Sequence, residues 1–143
     1  MARAEARYRL EHGEEPLLLG ADDDVDALIS ALLMGPAHEN LAQVHSLDRQ
    51  LMPSGFPDHE LLVGVDGALS LGLLAYLDAE GNVVTLGPPE SRTDPVYCIQ
   101  GNRTEFPAHS EVSVDLVREA LKEFLSSGGM RPTCVQWQAA DNL

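Results

Sequence analysis

The amino-acid sequence predicts an α+β fold, a mainly antiparallel twisted sheet of about five to seven strands with two amphipathic helices packed on it. Two observations predict this architecture. Apolar residues recur with helical spacing in two segments, one in each half of the chain. Between these segments, short β-rich runs are separated by turn signals, as in sequential antiparallel strands. Each helix has one apolar stripe, so both are expected to cover one sheet face, and residues 1–143 are expected to form one domain.

The N-terminal third is predicted to contain a strand and then a helix, because the spacing of its apolar residues changes from every second residue to helical spacing. Residues 2–11 alternate between apolar and charged side chains, which predicts a half-buried strand near a sheet edge. Residues 17–19 are a short apolar bridge. Residues 22–33 have apolar side chains at helical spacing, and Gly35-Pro36 ends this helix. One carboxylate of Asp22, Asp23 and Asp24 is expected to cap it, because the run lacks the glycine and the distant glutamate of a calcium loop.

The middle of the chain is predicted to be a meander of strands. The predicted strands span residues 41–47, 60–65, 69–77, 83–86 and 95–100. Asp66-Gly67 is a two-residue hairpin signal between the second and the third of them. Gly64 and Gly72 lie inside strands and indicate a bulge or a close approach of the backbone to a neighbour. Residues 51–59, with their prolines and glycine, are expected to form a loop.

The second helix has the clearest boundaries in the sequence. Residues 114–126 carry an apolar face, and Ser113 precedes them as a cap. Gly128 and Gly129 can adopt the left-handed conformation that ends a helix, and Pro132 prevents its resumption. A strand over residues 133–138 is expected to follow, with Trp137 packed at the end of a small core.

The charge of the chain restricts its partners. Twenty-three acidic residues oppose nine basic ones, which gives a formal net charge of −14. Nucleic-acid and anionic-membrane binding are disfavoured, because phosphate neutralisation needs clusters of lysine and arginine. A partner with a basic surface is favoured, although the same charge also serves solubility. No apolar run has the length of a signal-peptide core or a membrane span, so the chain is expected to be cytoplasmic.

No residue pattern indicates a catalytic group, a cofactor or a bound metal. The five histidines lack metal-site spacing and are predicted to lie on the surface or in loops. Cys98 and Cys134 have apolar neighbours, which predicts buried and unreactive free thiols; a disulfide would require neighbouring strands. Glu105 is expected to fix the turn at residues 104–107 or to pair with an arginine such as Arg103.

The C-terminal third carries a family resemblance. The residues that carry it are Tyr97, Gly101, Thr104-Glu105-Phe106-Pro107, Ser110-Glu111-Val112, Val117-Arg118-Glu119-Ala120, Phe124-Leu125, Gly128-Gly129, Arg131-Pro132 and Trp137-Gln138. This pattern resembles the C-terminal signature of the first family in the Imm series of immunity proteins, which is common in actinobacteria. The N-terminal strand, the helix DVDALISALL and the hairpin around LLVGVDGALSLGLLAY extend the resemblance over almost the whole chain. Cys98 departs from the pattern, since a second aromatic residue is expected after Tyr97.

The resemblance implies a function that agrees with the charge. Such proteins are associated with bacterial polymorphic-toxin systems, are usually encoded beside a secreted toxin, often a nucleic-acid deaminase, and protect the producer by binding it. A strongly acidic inhibitor can occupy the basic substrate groove of such a toxin. The predicted toxin contacts are carboxylates near loops: Asp22, Asp23, Asp24, Asp58, Glu60, Glu90 and Asp94.

Two alternatives stay open from the sequence. One is a structural or oligomeric module, which predicts an exposed apolar patch or sheet edge and self-association without a toxin. The other is a small hydrolase that uses Glu105 or a histidine. It predicts a concave pocket with two or more titratable groups within hydrogen-bond reach.

Overall fold

The computed structural model of the protein describes residues 2–143, in which ten strands and two α-helices are present. The strands are β1 (Ala4–Arg7), β2 (Leu17–Leu19), β3 (Leu41–Ser46), β4 (His59–Asp66), β5 (Leu71–Asp78), β6 (Gly81–Thr85), β7 (Val96–Ile99), β8 (Asn102–Glu105), β9 (Val112–Ser113) and β10 (Trp137–Ala139). The helices are α1 (Asp22–Met34) and α2 (Val114–Ser126). Short 3₁₀ segments cover Leu10–Gly13 and Ala37–Glu39.

Eight strands form one antiparallel sheet. Seven follow the order β10-β6-β5-β4-β3-β1-β2, and β9 pairs with the start of β5. The predicted α+β fold is confirmed, and the sheet is somewhat larger than predicted because residues 17–19 and 112–113 also join it. β7 and β8 form a separate antiparallel hairpin.

The two faces of the sheet are covered by different layers. On one face, α1 and α2 pack against the sheet and each other, and the main core includes Leu28, Leu61 and Phe124, all fully buried. On the other face, the β7–β8 hairpin contributes Tyr97 to a smaller core that also contains Phe106. The hairpin therefore covers a part of the sheet that the helices do not reach.

The second helix is capped as its sequence predicts, and the first is capped by Asp24 from its third helical position, since Ala21 is the N-cap residue. Ser113 Oγ accepts a hydrogen bond from Leu116 N at 3.3 Å, and Gly128 ends α2 with a φ of 75°. At the start of α1, Asp24 Oδ2 accepts hydrogen bonds from the amides of Gly20 and Ala21 at 2.7 and 3.0 Å. These backbone hydrogen bonds lower the pKa of the Asp24 carboxyl. No helix within residues 2–143 combines the length and the apolar character that a membrane span requires.

The N-terminal strand is shorter than predicted, because a side chain takes its backbone donors. β1 ends at Arg7 rather than at residue 11. His12 Nδ1 accepts hydrogen bonds from the amides of Tyr8 and Arg9, each at 3.1 Å. The chain therefore turns away from the sheet into a 3₁₀ segment.

The last strand is also shorter, for the same kind of reason. β10 begins at Trp137 rather than at residue 133. The Glu123 carboxylate of α2 accepts hydrogen bonds from the amides of Thr133 and Cys134 at 2.7 and 3.1 Å. These two donors are thus bonded to a helix side chain instead of a neighbouring strand.

The β4–β5 connection is longer than the predicted two-residue turn. Asp66 pairs with Leu71, so residues 67–70 form the loop. Asp66 Oδ1 accepts hydrogen bonds from the amides of Ala68 and Leu69 at 3.0 and 3.1 Å, and Ser70 has a φ of 54°. Asp66 therefore stabilises the loop by side-chain hydrogen bonding rather than as the first residue of a tight turn.

Gly64 is a site of close approach, as its place inside a strand predicts. A Cβ atom at Gly64 would lie 2.7 Å from Cδ2 of the Tyr97 ring. A Cβ at Gly72 would lie 2.3 Å from the Gly64 carbonyl oxygen. The β7–β8 hairpin can therefore rest on β4 only because position 64 has no side chain.

The hairpin is also held by the buried carboxylate of Glu111, whose side chain has no solvent exposure. It accepts hydrogen bonds from Arg92 Nε at 2.7 Å and Arg92 Nη2 at 2.6 Å, and from the Tyr97 hydroxyl at 2.6 Å. Arg92 Nη2 also contacts Asp66 at 3.1 Å. Burial, followed by the bond to Glu111, raises the pKa of Tyr97, so its hydroxyl stays a donor. Glu111 thus connects the start of α2 to β7 and to the chain that follows β6.

We predict that Glu111→Ala lowers the free energy of unfolding by about 2 to 3 kcal/mol. Breaking a fully buried ion pair costs more, but the Arg92 side chain is 41% exposed and water would solvate part of its charge. Urea unfolding checks this value. Glu105→Ala is the matched control, since Glu105 is exposed, and should change stability by less than about 0.5 kcal/mol. Equal losses in the two variants would contradict the role of Glu111.

Candidate binding surface

The loops that connect the strands lie at two opposite ends of the sheet, and the two ends carry different loops. The basal end comprises loop 47–58, the β5–β6 turn at 79–80 and the turn after α2 at 127–131. The apical end comprises residues 35–40, 67–70 and 86–95. The antiparallel register places each loop at one end or the other.

Loop 47–58 carries four exposed large apolar side chains. Leu47, Leu51, Met52 and Phe56 are 47%, 56%, 43% and 68% exposed. The tip of the loop is closed by hydrogen bonds from Met52 N to Phe56 O at 2.9 Å and from Gly55 N to Met52 O at 2.8 Å. Because these internal hydrogen bonds fix the conformation of the loop, its apolar side chains are exposed to solvent at defined positions.

Arg49 fastens this loop to the body of the protein. Its Nη1 donates to the Tyr76 hydroxyl at 2.5 Å and to the Gly129 carbonyl oxygen at 2.9 Å. Its Nη2 donates to Asp58 Oδ2 at 2.8 Å. Because Arg49 is near the start of the loop and Asp58 is its last residue, this ion pair closes the loop at its base. The Tyr76 hydroxyl donates to Gly129 O at 3.0 Å and links the same group to the turn after α2.

His59 makes a second connection across the base of the loop. Its Nε2 accepts a hydrogen bond from the amide of Ser46 at 2.8 Å, and its Nδ1 lies 3.0 Å from Asp58 Oδ1. Burial lowers the pKa of His59 and outweighs the opposing effect of Asp58, so the ring is neutral. Partial burial raises the pKa of Asp58, but hydrogen bonds from Arg49 and His59 outweigh it, and the net pKa is lowered.

Two concave regions flank the loop. A groove of about 560 Å³ is lined by Met52, Phe56, His45 and Glu60, among others. A cleft of about 770 Å³ includes Met130 in its lining, and both regions share Asp58 and Asp78. Together the two linings contain two guanidinium groups, Arg49 and Arg131, and five carboxylates: Asp58, Glu60, Asp78, Glu80 and Asp141. The basal end thus combines excess negative charge with exposed apolar side chains.

The predicted contact carboxylates are divided between the two ends. Glu90 and Asp94 lie at the apical end, and the other five, Asp22, Asp23, Asp24, Asp58 and Glu60, lie at the basal end. Three of those five carry out local structural roles: Asp24 caps α1, Asp58 pairs with Arg49, and Glu60 accepts a hydrogen bond from Gln43. Burial raises the pKa of Glu60. Asp22, Asp23, Glu90 and Asp94 are exposed and form no ion pair with any residue of the described chain.

The signature residues of the C-terminal third are mostly internal. Phe106 packs edge-to-face on Tyr97 with ring centroids 6.0 Å apart, and Phe124 is fully buried. The carbonyl oxygens of Pro107 and Pro132 accept hydrogen bonds from Ser110 Oγ at 2.8 Å and from Trp137 Nε1 at 2.9 Å. Glu105 lies exposed at the end of β8, and its side chain makes no hydrogen bond or ion pair within residues 2–143. Glu105 therefore has neither the turn-fixing nor the arginine-pairing role that was expected of it; the nearby carboxylate that pairs with an arginine is Glu111, which bonds to Arg92.

Two expectations about reactive residues are wrong. His12 and His59 are buried rather than on the surface, because each accepts backbone hydrogen bonds from a neighbouring segment. The thiols are free but not buried: Cys98 is half-buried and Cys134 is exposed. Desolvation and the nearby Glu123 carboxylate raise the pKa of Cys134 to about 11, so it is protonated at neutral pH.

The basal end contains titratable groups within hydrogen-bond reach, which is the feature that the hydrolase alternative requires. Within the described chain, these groups bond to one another or to the backbone. Both ring nitrogens of His59 are occupied, and among residues 2–143 no hydroxyl or thiol side chain is bonded to them. No cluster of three or more potential metal ligands occurs in this part of the chain. The arrangement is suited to holding loop 47–58 in place.

The sequence predicts a loop over residues 51–59 but assigns no role to Leu51, Met52 and Phe56, which the structure exposes. The signal for such a role is composition: large apolar side chains in a segment with two prolines, a glycine and no helical or strand period.

An α+β domain whose loop presents apolar side chains beside excess carboxylates has the features of a protein-binding domain. The family model described as Immunity protein Imm1 matches residues 13–139. The chain therefore belongs to the Imm1 immunity protein family. This membership indicates a role in toxin immunity and implies binding to a cognate toxin. No curated protein matches the chain significantly.

The neutral buried histidines predict that stability falls in mild acid. The pKa values of His12 and His59 are lowered in the folded state, so below about pH 6.5 the unfolded chain binds more protons. The free energy of unfolding should therefore decrease as the pH falls from about 7 to about 5. His59→Gln should reduce this dependence, and exposed His38→Gln should not. The raised pKa of Glu60 increases stability as the pH falls, but Glu60 is present in the unmodified chain and in both variants, so it does not affect the comparison.

Urea unfolding at several pH values measures the effect. If the free energy of unfolding has the same pH dependence in the unmodified chain and in His59→Gln, the predicted role of His59 is wrong. Histidine Cε1 proton shifts in an NMR titration give an independent check on which ring titrates below the ordinary range.

Proposed function

We propose that this chain binds a cognate bacterial toxin and neutralises it by covering the active site or substrate groove. The observation that carries this proposal is membership of the Imm1 family over residues 13–139. The proposed toxin acts on nucleic acid, as a deaminase does, and has a basic surface. The chain needs no cofactor for such a role and is proposed to act in the cytoplasm of the producing cell.

The charge of the chain supports this mechanism. An enzyme that acts on nucleic acid needs cationic groups along its substrate groove. A net charge of −14 attracts such a surface over a long range and accelerates association. An acidic protein seated on the groove would exclude the phosphate backbone both by volume and by charge. Inhibition then requires no chemical step by the inhibitor.

Four of the predicted contacts are free to take part. Asp22, Asp23, Glu90 and Asp94 are exposed, and within residues 2–143 they have no cationic partner. Pairing with toxin lysines or arginines would therefore not break an internal ion pair. Asp58 and Glu60 would have to bind while keeping their internal hydrogen bonds.

Self-association is the second candidate, and the exposed apolar loop 47–58 favours it. The net charge opposes it, because two identical acidic surfaces repel each other. We therefore place toxin binding first.

The test is a binding and activity assay with the toxin domain encoded beside this gene. We expect a stoichiometric complex that abolishes the toxin's activity. The association rate should fall by about tenfold or more between low and high salt, because steering by charge is screened. Full toxin activity at an excess of this protein would overturn the proposal for that pair. Sedimentation of the protein alone tests the second candidate.

A further inference from the structure

We propose that loop 47–58, with the groove and cleft beside it, is the surface that contacts the toxin. This inference rests on the proposed function and assigns its contact site. The occupant is a cationic protein surface that also presents apolar side chains. The inference differs from a purely electrostatic contact, since the centre of the interface would be apolar and the carboxylates would form its rim.

The first argument is the clustering of exposed apolar side chains. Single exposed apolar residues are ordinary, and the apical end has several, each on a separate segment: Leu10, Met34, Leu69 and Leu86. At the basal end, Leu47, Leu51, Met52 and Phe56 belong to one loop, and Met130 faces the adjoining cleft. Such a concentration of apolar surface beside a groove marks a site that another protein covers.

The second argument is that the loop is held in shape before any partner binds. Arg49 and Asp58 close its base, His59 bonds to Ser46 across the same base, and backbone bonds close its tip. Little conformational entropy would be lost on binding, so Phe56 and Met52 can serve as anchors. The cost of ordering the loop has been met in the folding of the chain itself.

The third argument is charge, which selects the occupant. The linings of the groove and cleft hold five carboxylates and two guanidinium groups, and Arg49 already pairs with Asp58. A second copy would bring the same negative charge to this surface and would be repelled. A cationic partner would be attracted, and its lysines or arginines could reach Asp78 and Glu80 while its apolar groups cover Phe56.

The experiment measures the Kd for the adjacent toxin domain with apolar variants at the two ends. Phe56→Ala should raise the Kd by about 30-fold or more, as loss of a central anchor does. Met52→Ala should raise it by a smaller factor. Met34→Ala is the matched control, because Met34 is 88% exposed at the apical end, and it should change the Kd by less than about threefold.

A second pair of variants tests the charge. Asp78→Asn with Glu80→Gln removes two carboxylates at the basal end, and Asp94→Asn with Glu90→Gln removes two at the apical end. If loop 47–58 is the contact surface, Glu90 and Asp94 lie outside it and act only through long-range charge. The basal pair should then slow association several-fold and reduce its salt dependence, and the apical pair should have the smaller effect. Urea unfolding confirms that each variant is folded. All of these side chains except Asp78 are exposed, so their loss should cost little stability.

The outcomes separate the two proposals. If the unmodified chain neither binds nor inhibits the toxin, the proposed function is overturned, and this surface falls with it. If the chain inhibits the toxin but only the apical variants weaken binding, the function stands and this surface is overturned. If the protein forms dimers that Phe56→Ala dissociates, the occupant of the loop is a second copy, which also overturns the inference. Hydrogen exchange in the complex should protect residues 47–58 rather than 86–95.

Discussion

The layered arrangement of this protein depends on one buried carboxylate. Glu111 lies where the chain enters α2, and it receives hydrogen bonds from Arg92 and Tyr97, which belong to the segment between β6 and β8. Without this acceptor, the guanidinium and the phenol would have no buried partner. The hairpin would keep its apolar contacts and its hydrogen bonds to residues 38–40, from Cys98 N to Asn40 Oδ1 and from Gly101 N to His38 O. The same interaction positions the Tyr97 ring over Gly64, so an ionic contact and a packing contact fix the hairpin together. One residue therefore connects the helical layer, the sheet and the hairpin.

A second arginine organises the opposite end, with a different result. Arg92 neutralises a carboxylate that has no access to water, whereas Arg49 joins Asp58, Tyr76 and a backbone carbonyl oxygen around the base of a loop. The first network stabilises the fold, and the second determines how a surface loop is presented. Asp58, Asp66 and Glu111 belong to these two networks, whereas Asp22, Asp23, Glu90 and Asp94 are exposed and form no ion pair within residues 2–143. The unpaired carboxylates therefore add negative charge to the surface without stabilising either network.

Local features of the sequence predicted more than distant ones. The bounds of α2, its serine cap and its glycine end were predictable because each signal lies within a few residues of its effect. The networks of Glu111 and Arg49 were not, since they join residues far apart in sequence: Arg49 and Gly129 are separated by 80 positions. The burial of His59 likewise follows from its pairing with Ser46 on another strand, which no spacing rule reveals. The acidic composition predicted a basic partner class, but the apolar side chains of loop 47–58 became informative only when their exposure was known.

The closure of loop 47–58 by Arg49 and Asp58 has a consequence for how binding specificity can change. Residues 50–57 lie between Arg49 and Asp58, which fix the two ends of the loop. Seven of these eight residues are exposed, including Leu51, Met52 and Phe56, and Pro57 is half-buried. Substitutions there would alter the shape and chemistry of the surface with little effect on the packing of the sheet. A change in loop length would add only a small entropic cost. If loop 47–58 contacts the toxin, as proposed, recognition of a new toxin can evolve in this segment independently of the requirement to fold.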